Sequence, residues 1–362
     1  MVADKGRRRF LESAGAAAFA SCLPAVSHTT GAAEKKSRGS QKTPALRPFG
    51  FVMHGGAGTI ERSKMTQERE KAYRDKLTEA LLAGFDVLKR DGQCLDAVVT
   101  AITLLEDSPL FNAGKGAVFT SAGTNELDAS IMDGRTLMAG SVAGLKHIKN
   151  PISLARMVME KSPHVMMAGD GAETFAKQQG VALVPQSYFY TERRWKEWRA
   201  KVEEERSKPP KKTSRLVAPL MADEDRHGTV GAVALDKAGN LAAGTSTGGI
   251  TNKKFGRIGD SPIIGAGTYA NNQTCAISTT GDGEFFIRSV VAHDISALVG
   301  YKGMSVKDAA DAVLDKVKQL GGTGGVIVLD REGRVAMSFN TAGMYRGFIG
   351  PDGKAVIEIY KD

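Results

Sequence analysis

Residues 227–249 have the sequence HGTVGAVALDKAGNLAAGTSTGG. Two apolar runs, residues 230–235 and 241–245, flank the turn-forming segment DKAGN. Short apolar runs around a turn of this composition predict a β-hairpin. The same pattern recurs downstream, where residues 325–329 and 335–339 flank the segment DREG. The C-terminal part of the chain is therefore predicted to contain two hairpins.

Helical periodicity surrounds these strands. One helix is predicted over residues 283–298, and Ser305 with Asp308 three residues later predicts the N-terminal cap of another. In the N-terminal part the pattern predicts a strand over 50–53 and helices over 66–90 and 95–105. Sheets flanked by helix pairs indicate a layered α/β or α+β fold.

The composition is that of a soluble globular protein, because 42% of the residues are hydrophobic and 25% are charged. These values exclude a membrane bundle and a wholly disordered chain. The net charge of +9 could indicate a nucleic-acid partner, but residues 1–48 carry +6 and residues 191–216 carry +5, which leaves −2 for the rest. Because the basic excess is confined to two segments, no nucleic-acid partner is expected.

The first basic segment, within residues 1–48, resembles a bacterial export signal. Arg7-Arg8-Arg9 precedes Phe10-Leu11, a run of small apolar residues follows over 14–20, and cleavage would suit Ser27. Paired arginines before Phe-Leu resemble a twin-arginine signal. Such a signal predicts export of the protein to the periplasm of a bacterium. The apolar run is too short to span a bilayer, so no stable membrane anchor is expected. The alternative is a disordered basic N-terminus.

The second basic segment, residues 191–228, predicts a solvated helix followed by a flexible linker. It is highly charged, and Pro209-Pro210 stands before a cluster of Lys, Ser and Thr. Such a linker would divide the chain into residues 49–190 and residues 229–362.

Two glycine-rich patterns suggest chemistry that the surrounding sequence does not support. Residues 244–248 match the nucleophile elbow of serine hydrolases, which requires a helix directly after the serine and a downstream acid and histidine. Residues 249–256 are loop-like, and His293 lies inside a predicted helix, so a serine esterase is disfavoured. The segment HGGAG at 54–58 lacks the features of a P-loop and of a dinucleotide fingerprint.

His227-Gly228-Thr229, taken alone, is a turn before a strand. Further motifs of the chain indicate that this segment is more than a turn. In order along the chain they are HGGAG (54–58), LFNAGKG (110–116), TSTGG (245–249), GRIGDSP (256–262), TTGDGE (279–284) and NTAGMYR (340–346). From about Gly50 to Tyr345 the chain resembles the plant-type L-asparaginase / isoaspartyl peptidase family of N-terminal nucleophile hydrolases.

The resemblance implies an αββα sandwich, one globular domain made as a precursor that cuts itself between Gly228 and Thr229. A threonine hydroxyl is a weak nucleophile, and an N-terminal threonine carries its own base, an α-amino group with a pKa of about 7.7–8.0. Because Gly228 lacks a Cβ, it permits a strained backbone and exposes its carbonyl group to the Thr229 hydroxyl. Thr229 is therefore the predicted nucleophile.

The resemblance also assigns three residues around the nucleophile. Thr247 matches the threonine that hydrogen-bonds it, and the alternative is a hydroxyl that caps a strand end. Arg257 and Asp260 match the pair that binds the α-carboxylate and the α-ammonium group of the substrate. A guanidinium group suits a carboxylate and a carboxylate suits an ammonium group, whereas the alternative is an ion pair between the two side chains.

The oxyanion hole is assigned by the same resemblance to Thr280 and Gly281, which also contact the substrate. Fixed donors there would stabilise the developing negative charge, and the alternative is an ordinary glycine turn. Asn112 resembles an asparagine that supports the conformation near the nucleophile. His54 is predicted to be a structural histidine rather than a base or a ligand.

Residues 105–115 resemble the family's loop in which main-chain carbonyl groups hold a structural sodium ion. The implied ligands are the carbonyl groups of Leu105, Glu106, Ser108, Phe111, Ala113 and Lys115. Hard cations prefer such oxygen ligands. No cofactor is expected for catalysis. Cys94 and Cys275, the cysteines outside the predicted signal, have no zinc-ligand spacing.

The implied activity is hydrolysis of the β-amide of L-asparagine or of β-aspartyl dipeptides, which makes the partner a small-molecule substrate. Glycosylasparaginases share the nucleophile and are the first alternative. Gly248 favours the asparaginases, because an asparagine would be expected there in the glycosidic branch. The second alternative is an exported binding protein that is never processed. The family implies a dimer of cleaved αβ units.

Overall fold

The computed structural model describes residues 48–207 and 228–361. The predicted export signal and the predicted linker residues 208–227 lie outside this part of the chain. Within it, the helices are α1 (Gln67–Lys89), α2 (Cys94–Glu106), α3 (Pro151–Lys161), α4 (Gly169–Gln178), α5 (Glu192–Ser207), α6 (Gly283–Ser289), α7 (Val291–Lys302) and α8 (Val306–Gln319). Single turns of 3-10 helix occur at Arg62–Lys64, Gly114–Gly116 and Gln186–Phe189.

The strands form two sheets. They are β1 (Gly50–Gly58), β2 (Leu127–Asp133), β3 (Ala139–Leu145), β4 (Met166–Ala168), β5 (Val230–Leu235), β6 (Leu241–Thr247), β7 (Thr268–Ala270), β8 (Cys275–Gly281), β9 (Gly324–Asp330), β10 (Val335–Phe339), β11 (Gly343–Ile349) and β12 (Ala355–Tyr360). The larger sheet has the order β12-β11-β1-β5-β6-β2-β3-β4, and the smaller has the order β10-β9-β8-β7. Neighbouring strands are antiparallel except β3 and β4.

Successive residues of β5 face opposite sides of the larger sheet, as the two-residue period of a strand requires. Ala232 packs with Ile102 of α2 in an apolar cluster that joins the sheet to helices α1–α3. Val233 belongs to a second cluster, which also includes Ile327 of the smaller sheet. A third cluster joins the smaller sheet to α6–α8 through residues such as Val313. The described residues therefore form a mixed α/β fold with helices and two sheets in contact.

Local signals in the sequence account for several element boundaries. Thr66 caps α1 by accepting a hydrogen bond from the Arg69 N–H group at 3.2 Å, and Ser305 caps α8 by accepting one from Asp308 at 3.1 Å. Both predicted hairpins are present, as β5–β6 and β9–β10. No helix in residues 48–207 or 228–361 is long and apolar enough to cross a membrane.

Two predicted elements were wrong in extent. The helix predicted over 283–298 is broken at Val290, which has a left-handed backbone (φ +48°) and separates α6 from α7. The N–H groups of Ala292 and His293 donate to the carbonyl groups of residues 266 and 265, so contacts with a loop override the local periodicity. The strand predicted over 50–53 continues to Gly58, with a β-bulge between His54 and Gly56.

The helix predicted in the second basic segment is present as α5, but one side of it is not solvated. Arg194 is only 1% exposed, and the rings of Trp195 and Trp198 pack against the ring of Phe119, the first of them edge-to-face. The expectation of a solvated helix is therefore wrong for this side of α5, because its aromatic residues and one arginine form a packing face that has no regular apolar period.

Candidate active site

A cavity lies where β5 begins and β6 ends, and it encloses about 670 Å³ of space, including its open mouth. Most of the residues that the sequence assigns to catalysis, cleavage and substrate binding line it together: Asn112, Gly228, Thr229, Thr247, Arg257, Asp260 and Gly281. Thr280 is fully buried and lies behind Gly228 rather than on the cavity wall. Residues from distant parts of the chain thus converge on one concave site, as expected for a ligand-binding or catalytic centre.

The Thr229 hydroxyl lies in a cluster of hydroxyl groups. It donates a hydrogen bond to the Thr247 hydroxyl at 3.2 Å and lies 3.3 Å from the Ser261 hydroxyl. Thr247 also accepts a hydrogen bond from the Gly249 N–H group at 3.0 Å, which fixes its oxygen at the end of β6. Thr247 therefore contacts the predicted nucleophile directly. Ser261 was quoted within the motif GRIGDSP, but nothing in the sequence assigned it this contact.

The peptide unit of Gly228 is packed tightly from two sides. A Cβ on Gly56 would lie 2.8 Å from the Gly228 carbonyl oxygen and 2.9 Å from its nitrogen, and a Cβ on Gly228 would collide with the Thr280 hydroxyl. Gly56 has φ +110°, a conformation that favours glycine. The bulge in β1 and the end of β8 thus enclose the peptide that the sequence predicts to be cut.

Thr280 and Gly281 occupy the end of β8, next to that peptide. The Thr280 hydroxyl accepts a hydrogen bond from the Ala57 N–H group at 3.3 Å. Gly281 has φ +152°, and a Cβ there would collide with the Thr323 carbonyl oxygen. This backbone requires glycine at position 281.

Arg257 and Asp260 both line the cavity, but they do not form the ion pair that was the alternative to a binding role. Arg257 instead forms a bidentate ion pair with Glu284, in which Nε and Nη2 each donate at 2.9 Å. This contact uses one edge of the guanidinium group, and Nη1 remains on the other edge. Glu284 stands in the motif TTGDGE, yet its partner is 27 residues away and no sequence pattern indicated the pair.

Asp260 is buried, and its Oδ2 atom accepts a hydrogen bond from the Thr279 hydroxyl at 2.7 Å. Burial raises the pKa of Asp260 to about 6, although the Thr279 hydroxyl and the Arg257 charge act in the opposite direction. An ammonium group placed beside this carboxylate would stabilise its charged form.

His54 contacts the backbone of the predicted nucleophile rather than its hydroxyl. Its Nδ1 atom lies 3.0 Å from the Thr229 carbonyl oxygen, and its Nε2 atom lies 2.9 Å from the Ser278 hydroxyl. Burial lowers the pKa of His54 to about 3, so the ring is neutral. Nδ1 therefore carries the proton and donates to Thr229, while Nε2 accepts from Ser278. This geometry agrees with the predicted structural histidine.

Asn112 braces the loop that follows β6. Its Nδ2 atom donates to the Gly249 carbonyl oxygen at 2.7 Å, and its Oδ1 atom accepts from the Val118 N–H group at 3.0 Å. A side chain on Gly248 would come within 2.6 Å of the Asn112 Oδ1 atom. Asn112 thus joins two walls of the cavity, and this contact requires glycine at position 248.

The predicted sodium loop is folded tightly against the end of α2. Cβ atoms on Gly114 and Gly116 would collide with the carbonyl oxygens of Glu106 and Phe111. The Leu105 and Ala113 carbonyl groups accept backbone hydrogen bonds at 3.2 Å. Carbonyl oxygens are the type of ligand that a hard cation prefers, and the sodium ion itself stays a prediction. Among the described residues, no group of three or more His, Cys, Asp or Glu side chains could hold a metal ion.

Comparison with known proteins agrees with the geometry. A family model described as "Asparaginase" matches residues 47–359. The chain is 51% identical over 300 residues to an isoaspartyl peptidase of Salmonella typhimurium, covering 82% of this chain and 94% of that protein. It is 50% identical over 299 residues to an isoaspartyl peptidase of Escherichia coli, covering 82% and 92%. It is 41% identical over 330 residues to a probable isoaspartyl peptidase/L-asparaginase 2 of Arabidopsis thaliana, covering 86% and 99%.

Proposed function

The chain belongs to the asparaginase family, and on that premise we propose that it is a self-activating β-aspartyl amidohydrolase. Its substrates would be L-asparagine, β-aspartyl (isoaspartyl) dipeptides, or both. One observation carries the proposal: Thr229, Arg257 and Asp260 line the same cavity. The fold that goes with this function is an αββα sandwich, which the contacts between the two sheets and their helices support.

Activation would begin with attack of the Thr229 hydroxyl oxygen on the Gly228 carbonyl carbon. The C–N bond breaks, the acyl group moves from nitrogen to oxygen, and the nitrogen takes a proton to become an α-amino group. Water then hydrolyses the ester, which leaves a carboxylate on Gly228 and a free hydroxyl on Thr229. Glycine at position 56 supports this step, because the absence of a Cβ there leaves room for the Gly228 peptide, which must distort.

In the cleaved enzyme the new α-amino group would act as the base for its own hydroxyl. Thr229 attacks the β-carbonyl carbon of the substrate, and Gly281, together with Thr280 once Gly228 has moved away after cleavage, would stabilise the tetrahedral oxyanion. Ammonia or an amino acid leaves with the proton held by the amine. Water then attacks the β-aspartyl ester, which releases aspartate and restores the Thr229 hydroxyl.

Substrate recognition would depend on the two charged groups beside the nucleophile. Arg257 would bind the α-carboxylate of the aspartyl group, and Asp260 would bind its α-ammonium group. Gly248 supports an asparaginase rather than a glycosylasparaginase, because Asn112 and Ala117 leave no space for a side chain at this position.

The remaining expectations are part of this proposal. Export through a twin-arginine signal would place the enzyme in a bacterial periplasm, and two αβ units would form a dimer after cleavage. A sodium ion held by the carbonyl groups of residues 105–115 would serve a structural purpose and would take no part in the reaction. No cofactor or nucleic-acid partner is proposed.

Hydrolysis assays with L-asparagine, β-aspartyl-leucine and a glycosylated asparagine test the activity. We expect turnover of at least one of the first two by the wild type and no turnover by Thr229→Ala. Ser289→Ala provides a control, because Ser289 is a buried hydroxyl on α6 that does not line the cavity. Preferred turnover of the glycosylated substrate would favour the glycosylasparaginase alternative, and no turnover of any substrate would favour the binding protein.

A further inference from the structure

Helix α5 packs against Phe119, which is adjacent in sequence to a residue of the cavity wall. The ring centroid of Phe119 lies 5.3 Å from that of Trp195 and 6.1 Å from that of Trp198, and the two indole rings lie 4.7 Å apart. Phe119 directly follows Val118, which lines the cavity. The Phe119 carbonyl oxygen also accepts a hydrogen bond from Asn252 at 2.8 Å. The aromatic side of α5 therefore covers the point where two cavity loops meet.

Two arginines of α5 bind the backbone of the first loop, residues 109–118. The buried Arg194 donates from Nε to the Gly116 carbonyl oxygen at 2.8 Å. Arg193 donates from Nη2 to the carbonyl oxygens of Pro109 and Leu110, each at 3.0 Å. The three hydrogen-bonded positions enclose Asn112, which lies between Leu110 and Gly116. The first loop is thus held at both ends by one helix.

Glu197 lies between the two arginines and pairs with both. It accepts from Arg194 at 2.9 Å and from Arg193 at 3.2 Å. The charge of the buried Arg194 is therefore matched by a carboxylate as well as by a carbonyl dipole, which offsets the cost of burying it. Removal of the Arg194 guanidinium group would leave the Gly116 carbonyl oxygen without this donor.

The C-terminal end of α5 reaches the second loop, residues 249–260. Glu205 accepts a hydrogen bond from Lys254 at 2.9 Å. Lys254 stands between Thr251 and Arg257, both of which line the cavity. One helix therefore contacts both loops that form the walls of the proposed substrate site, while none of its own residues lines the cavity.

From these contacts we propose that α5 is a positioning element of the enzyme, with Arg194 as its central residue. It remains docked after cleavage before Thr229, and it holds the two loops at the separation that the aspartyl substrate requires. This inference rests on the proposed function, because it concerns the affinity of that same site. It also gives a role to part of the second basic segment, which the sequence alone predicts to be a solvated helix and a linker.

The position of α5 decides which kinetic constant it should affect. Thr229 precedes β5, and Thr280 and Gly281 belong to β8, so the sheets rather than α5 hold the reacting groups. Asn112, Thr251 and Arg257 instead lie on the loops that α5 contacts. Displacement of those loops should therefore raise KM and leave kcat largely unchanged. A general loss of folded enzyme would lower apparent kcat without raising KM.

Tryptophan fluorescence reports the docking of α5 independently of activity. The chain contains two tryptophans, Trp195 and Trp198, and both lie on α5. Release of the helix would expose both indole rings to water and shift their emission to longer wavelength. The wild type should show the same emission maximum before and after cleavage, and a shift to longer wavelength on cleavage would overturn the proposal.

The decisive variants are Arg194→Met, Arg194→Lys and, as a matched control, Arg199→Met, since Arg199 is an exposed arginine of the same helix. In Arg194→Met we expect emission at longer wavelength, a KM for β-aspartyl-leucine or asparagine raised roughly five-fold or more, and kcat within about two-fold. Arg194→Lys should restore part of the affinity, and Arg199→Met should behave as wild type. An unchanged KM in Arg194→Met would overturn the proposal.

Lys254→Met provides a second test that does not disturb the buried part of α5, because Lys254 is half exposed. It should raise KM by a smaller factor, and an unchanged KM there would contradict contact with the second loop. Lack of turnover by the wild type would contradict the proposed function. Wild-type turnover combined with an unchanged KM in Arg194→Met and Lys254→Met would contradict this inference alone.

Discussion

Gly56 lies directly against Gly228: a Cβ on Gly56 would be 2.8 Å from the Gly228 carbonyl oxygen. The contact joins the bulge of β1 to the peptide that precedes Thr229. Because Gly56 also has φ +110°, any other residue there would strain its own backbone as well as press on Gly228. The glycine-rich turn of β1 therefore supports the predicted site of cleavage, although nothing in HGGAG as a sequence indicates that contact.

Gly56→Ala should slow self-cleavage. The added Cβ displaces the Gly228 peptide, and the positive φ costs alanine about 1–3 kcal/mol, so we expect cleavage roughly five- to 150-fold slower. Denaturing electrophoresis of freshly purified protein over time measures the rate. Gly171→Ala is the matched control, because no atom lies within 4 Å of the Cβ position there. Cleavage of Gly56→Ala at the wild-type rate would contradict the role of this contact.

Affinity for L-aspartate, the expected product, should depend on the protonation of Asp260. Burial raises the pKa of Asp260 to about 6, and only its charged form binds an ammonium group. The inhibition constant of L-aspartate should therefore rise as pH falls below about 6, approaching ten-fold per pH unit. The pH dependence of competitive inhibition measures this. A constant value between about pH 5 and 7 would show that Asp260 does not bind the ammonium group.

His54 should make the folded protein sensitive to acid. Its folded pKa is lowered to about 3 by burial, so below about pH 6.5 the unfolded chain binds a proton that the folded chain does not. This single group should remove about 1.4 kcal/mol of the free energy of unfolding per pH unit below that value. Thermal unfolding of His54→Gln and its parent, both with Thr229→Ala so that the chain remains whole, should show a shallower pH dependence for His54→Gln. Parallel curves would rule out this contribution.

Arg257→Lys should weaken substrate binding without affecting self-cleavage. Lysine keeps the charge but loses the planar group that contacts Glu284 and faces the cavity, so we expect KM to rise about 10- to 100-fold. Steady-state kinetics with either proposed substrate gives KM, and electrophoresis gives the cleaved fraction. Arg288→Lys, on the exposed side of α6, is the control. An unchanged KM in Arg257→Lys would remove Arg257 from substrate recognition.

Local signals predicted the parts of the fold that depend on local chemistry. The cap at Ser305 and the hairpin turn before Leu241 are set by residues close in sequence, and both are present. The break at Val290 was not predictable, because a β-branched residue rarely adopts a left-handed backbone and only hydrogen bonds to the loop at 265–266 account for it. The docked face of α5 was missed for the same reason, since the burial of Arg194 depends on the distant Gly116 carbonyl group.

The sequence predicted which residues form the site, but it did not predict their contacts. The resemblance named Thr229, Thr247, Arg257 and Asp260, and the structure brings them to one cavity, while their roles stay predictions. The ion pair of Arg257 with Glu284 was not predicted, because long-range pairs leave no periodic signal in a single sequence.

The most direct test of the central claim is the mass of the purified wild-type protein under denaturing conditions, compared with Thr229→Ala. The account predicts two fragments from the wild type, the C-terminal one beginning with Thr229, and one intact chain from Thr229→Ala. A single intact chain from both proteins, or a fragment that begins at another residue, would contradict it.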